Sequence, residues 1–181
     1  MRIGIAGAGG IGSNVAMLLV RAGFTKFTIV DFDYLEQSNL NRQFYFEDQL
    51  GKSKVESLKI NLERINKNVD LKIVNVKLEK SNVHKIFKDC TIIVEAFDKK
   101  EYKSMIIEEC LNNTKMIVSA SGVGGMELFN IQTKVMMKKL YIVGDFNTDV
   151  SEYKTYSTKV TYISAIMANI IIQNFENKLK K

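Results

Sequence analysis

The stretch M-R-I-G-I-A-G-A-G-G-I-G-S, residues 1–13, decides the fold when read with K-F-T-I-V-D at residues 26–31. Residues 2–6 form an apolar strand, residues 7–12 a glycine-rich turn, residues 11–23 a helix and residues 26–30 a second strand that ends at Asp31. Gly7, Gly9 and Gly12 satisfy G-x-G-x-x-G straight after a strand and at the opening of a helix, the context that gives this pattern its meaning. Glycines here, Gly10 included, allow the tight turn and let backbone N–H groups approach a phosphate. The helix N-terminus adds about half a positive charge. Asp31 stands where an acidic side chain accepts hydrogen bonds from ribose hydroxyls. A nucleotide is therefore the leading ligand; the competing reading is a glycine turn that only packs a βαβ unit closely.

At 181 residues and 46% hydrophobic, the chain suits one α/β domain with a real core, residues 1–181, and is short for two. Its first residues already belong to a strand and show no charged n-region with an apolar h-region, so no secretory signal is expected. The longest apolar stretch, residues 163–172, is interrupted by Ser164 and Asn169 and is too short to cross a bilayer. A soluble, cytoplasmic protein without membrane association is expected. Cys90 and Cys110 suit neither a disulfide framework nor a metal knuckle and read as buried small hydrophobes. The net charge of +6 favours acidic partners. The lysines are spread along helices and loops with no basic run interleaved with aromatics, so the pattern reads as a solvated surface and no nucleic acid is expected.

Beyond Asp31, residues 32–51 are irregular and rich in polar groups able to face a ligand: Asn39, Asn41, Arg42 and Gln43. Phe44, Tyr45 and Phe46 read as local packing. Residues 53–66 are amphipathic, with Val55, Leu58, Leu62 and Ile65 at helical spacing. Lys52 and Lys54 open that helix, an unfavourable end for cations unless an anion is bound there. Strands are expected at 71–76, 91–96, 116–120, 131–135 and 140–143, and helices at 82–87, 100–112 and 162–178. Asp98 follows the fourth strand on the rim where open α/β sheets collect ligands. Gly122, Gly124 and Gly125 form a second glycine cluster, and His84, the sole histidine, lies away from any glycine loop. The expected fold is a Rossmann-like, mostly parallel sheet flanked by helices, with later antiparallel strands.

The glycine turn, Asp31 with Asn39 and Arg42, Lys54, and Asp98 together supply a ribose acceptor, two cations for phosphate oxygens, an amide and a carboxylate able to hold Mg²⁺. A nicotinamide site needs the first of these and has little use for the rest. A triphosphate site needs them all, because charge must be neutralised at the phosphorus and on the leaving pyrophosphate.

At these residues the sequence resembles the ThiF and MoeB adenylyltransferases, relatives of the ubiquitin-activating enzymes. The resemblance runs through G-A-G-G-I-G-S at 7–13, V-D-F-D at 30–33, S-N-L-N-R-Q at 38–43, G-K-S-K-V-E at 51–56 and Asp98. Residues 119–125 and Gly144-Asp145-Phe146 look like the short ThiF form of thiamine biosynthesis. The resemblance implies ATP on the glycine loop, attacked at its α-phosphorus by the C-terminal glycine carboxylate of a small ubiquitin-like sulfur carrier, with ThiS the carrier of the thiamine pathway. It further implies Asp31 on the ribose, Asn39, Arg42 and Lys54 on the phosphates, Asp98 on Mg²⁺, and a homodimer. Arg42, Lys54 and Asp98 would carry the chemistry.

The chain departs from the family pattern at Ser53, where a proline is common, and at Lys99 and Lys103, where asparagine and arginine are common. Lysine lacks the bidentate fork of arginine. The paired C-x-x-C motifs that hold structural zinc in many relatives are missing, so no zinc is expected, and no cysteine follows Cys110. Two other readings compete: an NAD-dependent oxidoreductase, resting on the glycine turn and Asp31, and a non-catalytic nucleotide- or carrier-binding subunit, suggested by Lys103.

Overall fold

The computed structural model describes residues 1–176. Strand β1 (Ile3–Ala6) leads through the glycine turn into helix α1 (Gly10–Arg21), and β2 (Lys26–Val30) follows. The irregular segment after β2 holds two short 3-10 turns, Gln37–Asn39 and Glu47–Gln49. Then come α2 (Lys54–Ile65), β3 (Asp70–Val74), α3 (Lys80–Phe87), β4 (Ile92–Glu95) and α4 (Lys100–Cys110). The described chain closes with β5 (Met116–Ala120), β6 (Gln132–Met136), β7 (Leu140–Gly144) and α5 (Ser157–Glu176).

The seven strands make one sheet in the order β3-β2-β1-β4-β5-β7-β6. Strand β1 pairs in parallel with both β2 and β4, so the chain winds outward one way from β1 to β3 and the other way from β4 to β7. The point where the winding reverses lies between β1 and β4. Open α/β sheets leave a crevice there, beyond the carboxyl ends of the strands.

Alternation along the strands sends side chains to two cores. Ile3, Ile5, Phe27, Ile29, Val94 and Val118 pack under α1, α2 and α5 with Val15, Leu19, Leu58, Leu62, Ile163 and Met167. On the opposite face Ala6, Val30, Ile93 and Ile117 meet Val83, Phe87 and Ile106 from α3 and α4. Full burial of each large aliphatic or aromatic side chain favours folding by about 1.5–3 kcal/mol. A Cβ on Gly4 would stand 2.7 Å from a ring carbon of Phe87 and 2.6 Å from Ile93. Glycine in β1 thus lets α3 lie close against the middle of the sheet.

The fold class agrees with the reading of the sequence, and the differences are local. Of the two late strands only β6 is antiparallel; β7 enters in parallel beside β5, and β6 is added outside it. Helix α1 ends at Arg21 rather than at residue 23, and its buried residues include Val20 beside Val15, Ala16 and Leu19. Helix α5 covers α1 from the side, a long-range contact that periodicity alone does not report. Helix α5 starts earlier than residue 162, at Ser157, and of its expected end Lys178 lies outside the described residues. No helix among the described residues is long and apolar enough to cross a membrane.

Candidate nucleotide site

A cavity of about 710 Å³ opens at the winding reversal, lined by the glycine turn, the segment after β2, the start of α2 and the residues that follow β4 and β5. Gly7, Gly9, Gly10, Asp31, Asn39, Arg42, Gln43, Lys54 and Asp98 line it; of the ligand-facing candidates singled out from the sequence, Gly12 and Asn41 do not, and Asn41 instead donates to the Thr155 carbonyl at 3.3 Å. Gly12 acts from beneath.

The glycines are required for separate reasons. Gly7 has φ +98°, and its N–H donates to the Val30 carbonyl at 2.8 Å, which fastens the turn to β2. At Gly12 a Cβ would overlap the Gly7 carbonyl oxygen and lie 2.9 Å from its carbon. Gly9 has open space above it, so its backbone forms part of the cavity floor. The irregular segment is tied to this floor by polar contacts. Ser13 Oγ donates to the Gly9 carbonyl at 2.7 Å and accepts from Phe44 N at 3.0 Å. Asn14 Nδ2 donates to the carbonyls of Gly10 and Arg42 at 2.7 and 2.8 Å, and Tyr45 OH donates to the Ala8 carbonyl at 2.7 Å. Tyr45 is buried, as its reading as a packing residue implied; burial and the nearby Asp31 charge raise its pKa, keeping it a donor.

Asp31 is 7% exposed. Its Oδ2 accepts from Ala8 N at 2.6 Å and its Oδ1 from Asp33 N at 2.9 Å. Burial raises its pKa, while those two N–H groups and the Lys54 charge pull the other way. The carboxylate thus shapes the glycine turn as well as facing the cavity.

Lys54 Nζ pairs with Asp33 Oδ2 at 2.8 Å, and Lys54 N donates to the Asp33 carbonyl at 3.0 Å. This corrects one inference from the sequence. The cation at the start of α2 needs no external anion, because Asp33 already faces it. Asp33 was the missed partner, although V-D-F-D carried the signal. Arg42 is half-buried, with Nη1 donating to the Ser38 carbonyl at 2.9 Å and to Asn41 Oδ1 at 2.8 Å. The rest of its five-donor fork makes no hydrogen bond among the described residues. Asn39 Oδ1 accepts from Glu36 N at 3.1 Å, so half of that amide caps the 3-10 turn.

Asp98 is exposed on the β4 side of the cavity, while Arg42 and Lys54 approach from the β2 side. Among the described residues no three acidic, histidine or cysteine side chains cluster as a metal cage. One carboxylate beside a triphosphate nevertheless suits Mg²⁺, which keeps its waters and binds through one or two carboxylates plus substrate phosphates.

Lys103 also lines the cavity, but its Nζ is held by Glu95 Oε2 at 3.2 Å and by the Ala120 carbonyl at 2.9 Å. Glu95 is fully buried and also accepts from Ser119 Oγ at 2.6 Å and Phe97 N at 2.7 Å. A buried carboxylate needs this much compensation. Sequence reasoning missed the pair; a charge closing the apolar run I-I-V-E was its signal. A second missed pair joins Lys159 and Asp145 at 2.6 Å, and Lys159 Nζ also donates to the Gly124 carbonyl at 2.5 Å. It fastens the loops after β5 and β7 to α5. His84 is exposed and away from the cavity. Cys90 and Cys110 are buried, and burial pushes the Cys110 thiol up to about 12 and raises Cys90 too, so neither supplies a thiolate near neutral pH.

A glycine turn, an acidic residue at the end of β2 and two cations around a cavity at the switch point of a parallel sheet define an α/β protein of the Rossmann-like type, with a crevice of the kind that takes nucleotides. The chain belongs to the ThiF family, which it matches over residues 1–178. It is 38% identical over 118 residues to the adenylyltransferase and sulfurtransferase MOCS3 of Caenorhabditis briggsae, an alignment covering 65% of this chain and 29% of that protein. It is 31% identical over 120 residues to the molybdopterin-synthase adenylyltransferase of Haemophilus influenzae, covering 66% of this chain and 49% of that one. The chain therefore spans half or less of the length of these curated relatives. Among solved structures, the E. coli tRNA N6-threonylcarbamoyladenosine dehydratase TcdA in complex with AMP superposes with a TM-score of 0.88 at 20% identity, covering 99% of this chain and 88% of that one. That likeness concerns the fold.

Proposed function

We propose that this protein is an ATP-dependent adenylyltransferase that activates the C-terminal glycine carboxylate of a small ubiquitin-like sulfur carrier, the ThiS-type carrier of thiamine biosynthesis, and that it works as a homodimer. The observation that carries the reading is the convergence of the glycine turn, Asp31, Arg42, Lys54 and Asp98 on one cavity. The relatives named adenylyltransferases support it.

In this reading the glycine turn and the α1 N-terminus bind the phosphates, Asp31 accepts from the ribose, and Asn39, Arg42 and Lys54 contact phosphate oxygens. Asp98 holds Mg²⁺, which when bound offsets negative charge on the triphosphate and the leaving group. A carboxylate oxygen of the carrier attacks the α-phosphorus. The bond from that phosphorus to the bridging oxygen breaks, and its electron pair leaves with pyrophosphate. The nucleophile is already ionised, so no general base is required. The protein contributes position and fixed charge. Asp33 positions Lys54.

An NAD-dependent oxidoreductase would leave Arg42, Lys54 and Asp98 without a task. Calorimetric titration with Mg-ATP and with NAD separates the two, since tighter binding of NAD rules out the adenylyltransferase. Incubation with ATP, Mg²⁺ and candidate carriers, read by mass spectrometry, then tests the reaction itself. A carrier that gains AMP supports it. A chain that binds ATP yet adenylates no carrier and exchanges no pyrophosphate is a non-catalytic subunit.

A further inference from the structure

Gln43 lines the cavity, is 9% exposed, and has an Oε1 that is buried with no hydrogen-bond partner. Its Nε2 makes no hydrogen bond among the described residues and is the nearest atom to the open side of Gly9, 3.9 Å from where a Cβ would stand. The backbone that carries it is fixed on both sides. Gln43 N donates to the Asn39 carbonyl at 3.0 Å, and its carbonyl accepts from Tyr45 N at 2.8 Å. The neighbouring carbonyl of Arg42 and N–H of Phe44 are clamped to Asn14 and Ser13 on α1.

An amide buried for packing alone would have both ends satisfied or be replaced by an apolar side chain, because an orphaned buried oxygen lowers stability. This amide instead leaves its oxygen unpaired and turns its NH₂ to the glycine floor. Turned the other way it would bury an unpaired NH₂ and offer an acceptor to any anion above Gly9. Phosphate oxygens have no donor to give such an acceptor.

We propose that Gln43 is a phosphate-contacting residue, whose Nε2–H donates to a non-bridging oxygen of the phosphate seated over Gly9. It works beside Arg42 as a neutral donor, fixing the orientation of the phosphate without adding charge. The proposal rests on the nucleotide reading of the cavity.

Two variants test it: Gln43→Met, with similar length and no N–H, and Gln43→Glu, with the same shape but only acceptors. Each is titrated by calorimetry with Mg-ATP and AMP, adenosine is followed by ligand-detected NMR, and unfolding is measured without ligand. A lost hydrogen bond to a charged group corresponds to about tenfold or more in affinity. Gln43→Met is therefore expected to bind AMP and Mg-ATP at least about tenfold more weakly and adenosine within about twofold of wild type. It is expected to melt at or above the wild-type temperature, since the orphaned oxygen is gone. Gln43→Glu is expected to lose more affinity for AMP and Mg-ATP than Gln43→Met does. Unchanged AMP affinity in Gln43→Met overturns the proposal. So does an equal loss for adenosine, or a lowered melting temperature with weakened binding of all three ligands, which would mark a structural residue. If the wild-type chain binds neither AMP nor ATP, the nucleotide reading itself fails and this proposal falls with it.

Discussion

Replacing Gly12 by alanine should disable the site from below, whereas the same change at Gly9 should leave the fold intact. At Gly12 the added Cβ would overlap the Gly7 carbonyl oxygen, lie 2.9 Å from its carbon and 3.2 Å from Ile5 Cγ2. None of these atoms is the free end of a flexible side chain, so the turn itself must open. Overpacking a well-packed site costs typically about 1–3 kcal/mol, occasionally more. Opening the turn also pulls Ala8 N from the buried Asp31 carboxylate, at 2.6 Å, a bond to a charged group worth about 1.5–3 kcal/mol. Together the loss is about 2.5–6 kcal/mol. At about 2–4 °C per kcal/mol for a chain of this size, the melting temperature should fall by about 5–24 °C. At Gly9 the nearest atom is 3.9 Å away, so a methyl has room, while ψ of −149° lies at the edge of the region alanine prefers, so no gain in stability is expected. Its methyl would nevertheless stand on the cavity floor and weaken ATP. Differential scanning fluorimetry with and without ATP reads both effects. A Gly12→Ala protein that melts within a degree or two of wild type and binds ATP normally would refute the close approach of turn and helix.

Arg42→Ala should bind ATP yet adenylate the carrier about 10²- to 10³-fold more slowly, the usual effect of losing one preorganised donor. The defect of Asp98→Asn should instead be partly relieved by added Mg²⁺; pyrophosphate release across a Mg²⁺ series decides, and wild-type behaviour of Asp98→Asn at low Mg²⁺ removes the metal role. The Cys90→Ser, Cys110→Ser double variant should keep its adenylation activity with a modest stability loss, and both thiols should resist alkylation in the native protein; loss of activity in a folded double variant would implicate a thiol in catalysis. For Asp145, burial acts to raise the pKa, but Lys159 and the Thr148 and Asn147 N–H groups outweigh it and hold the carboxyl at about 2. A depressed acid contributes stability above its ordinary value of 3.8 and loses it as pH falls through about 2. Asp145→Asn should therefore flatten acid unfolding in that window, and an unchanged slope would contradict the pairing. Elemental analysis should find no stoichiometric zinc, because no thiolate set of tetrahedral spacing exists in the sequence; about one zinc per chain would refute this.

The order of elements, the parallel sheet and the residues gathered at the cavity could be read from the chain because their causes are local. A glycine turn after an apolar strand, helical spacing in Val55, Leu58 and Leu62, and Asp31 at a strand end each rest on a few neighbouring residues. The tertiary structure decided which partner each charge meets. Lys54 faces Asp33, Lys103 is spent on Glu95, and Lys159 lies buried against Asp145. It also decided that β7 enters the sheet inside β6 and that α5 covers α1. These outcomes depend on contacts between residues far apart in the chain, and periodicity carries no information about them. A buried charge is stable only where the fold brings it a counter-charge or hydrogen-bond donors, so its role is settled when the elements pack and not before.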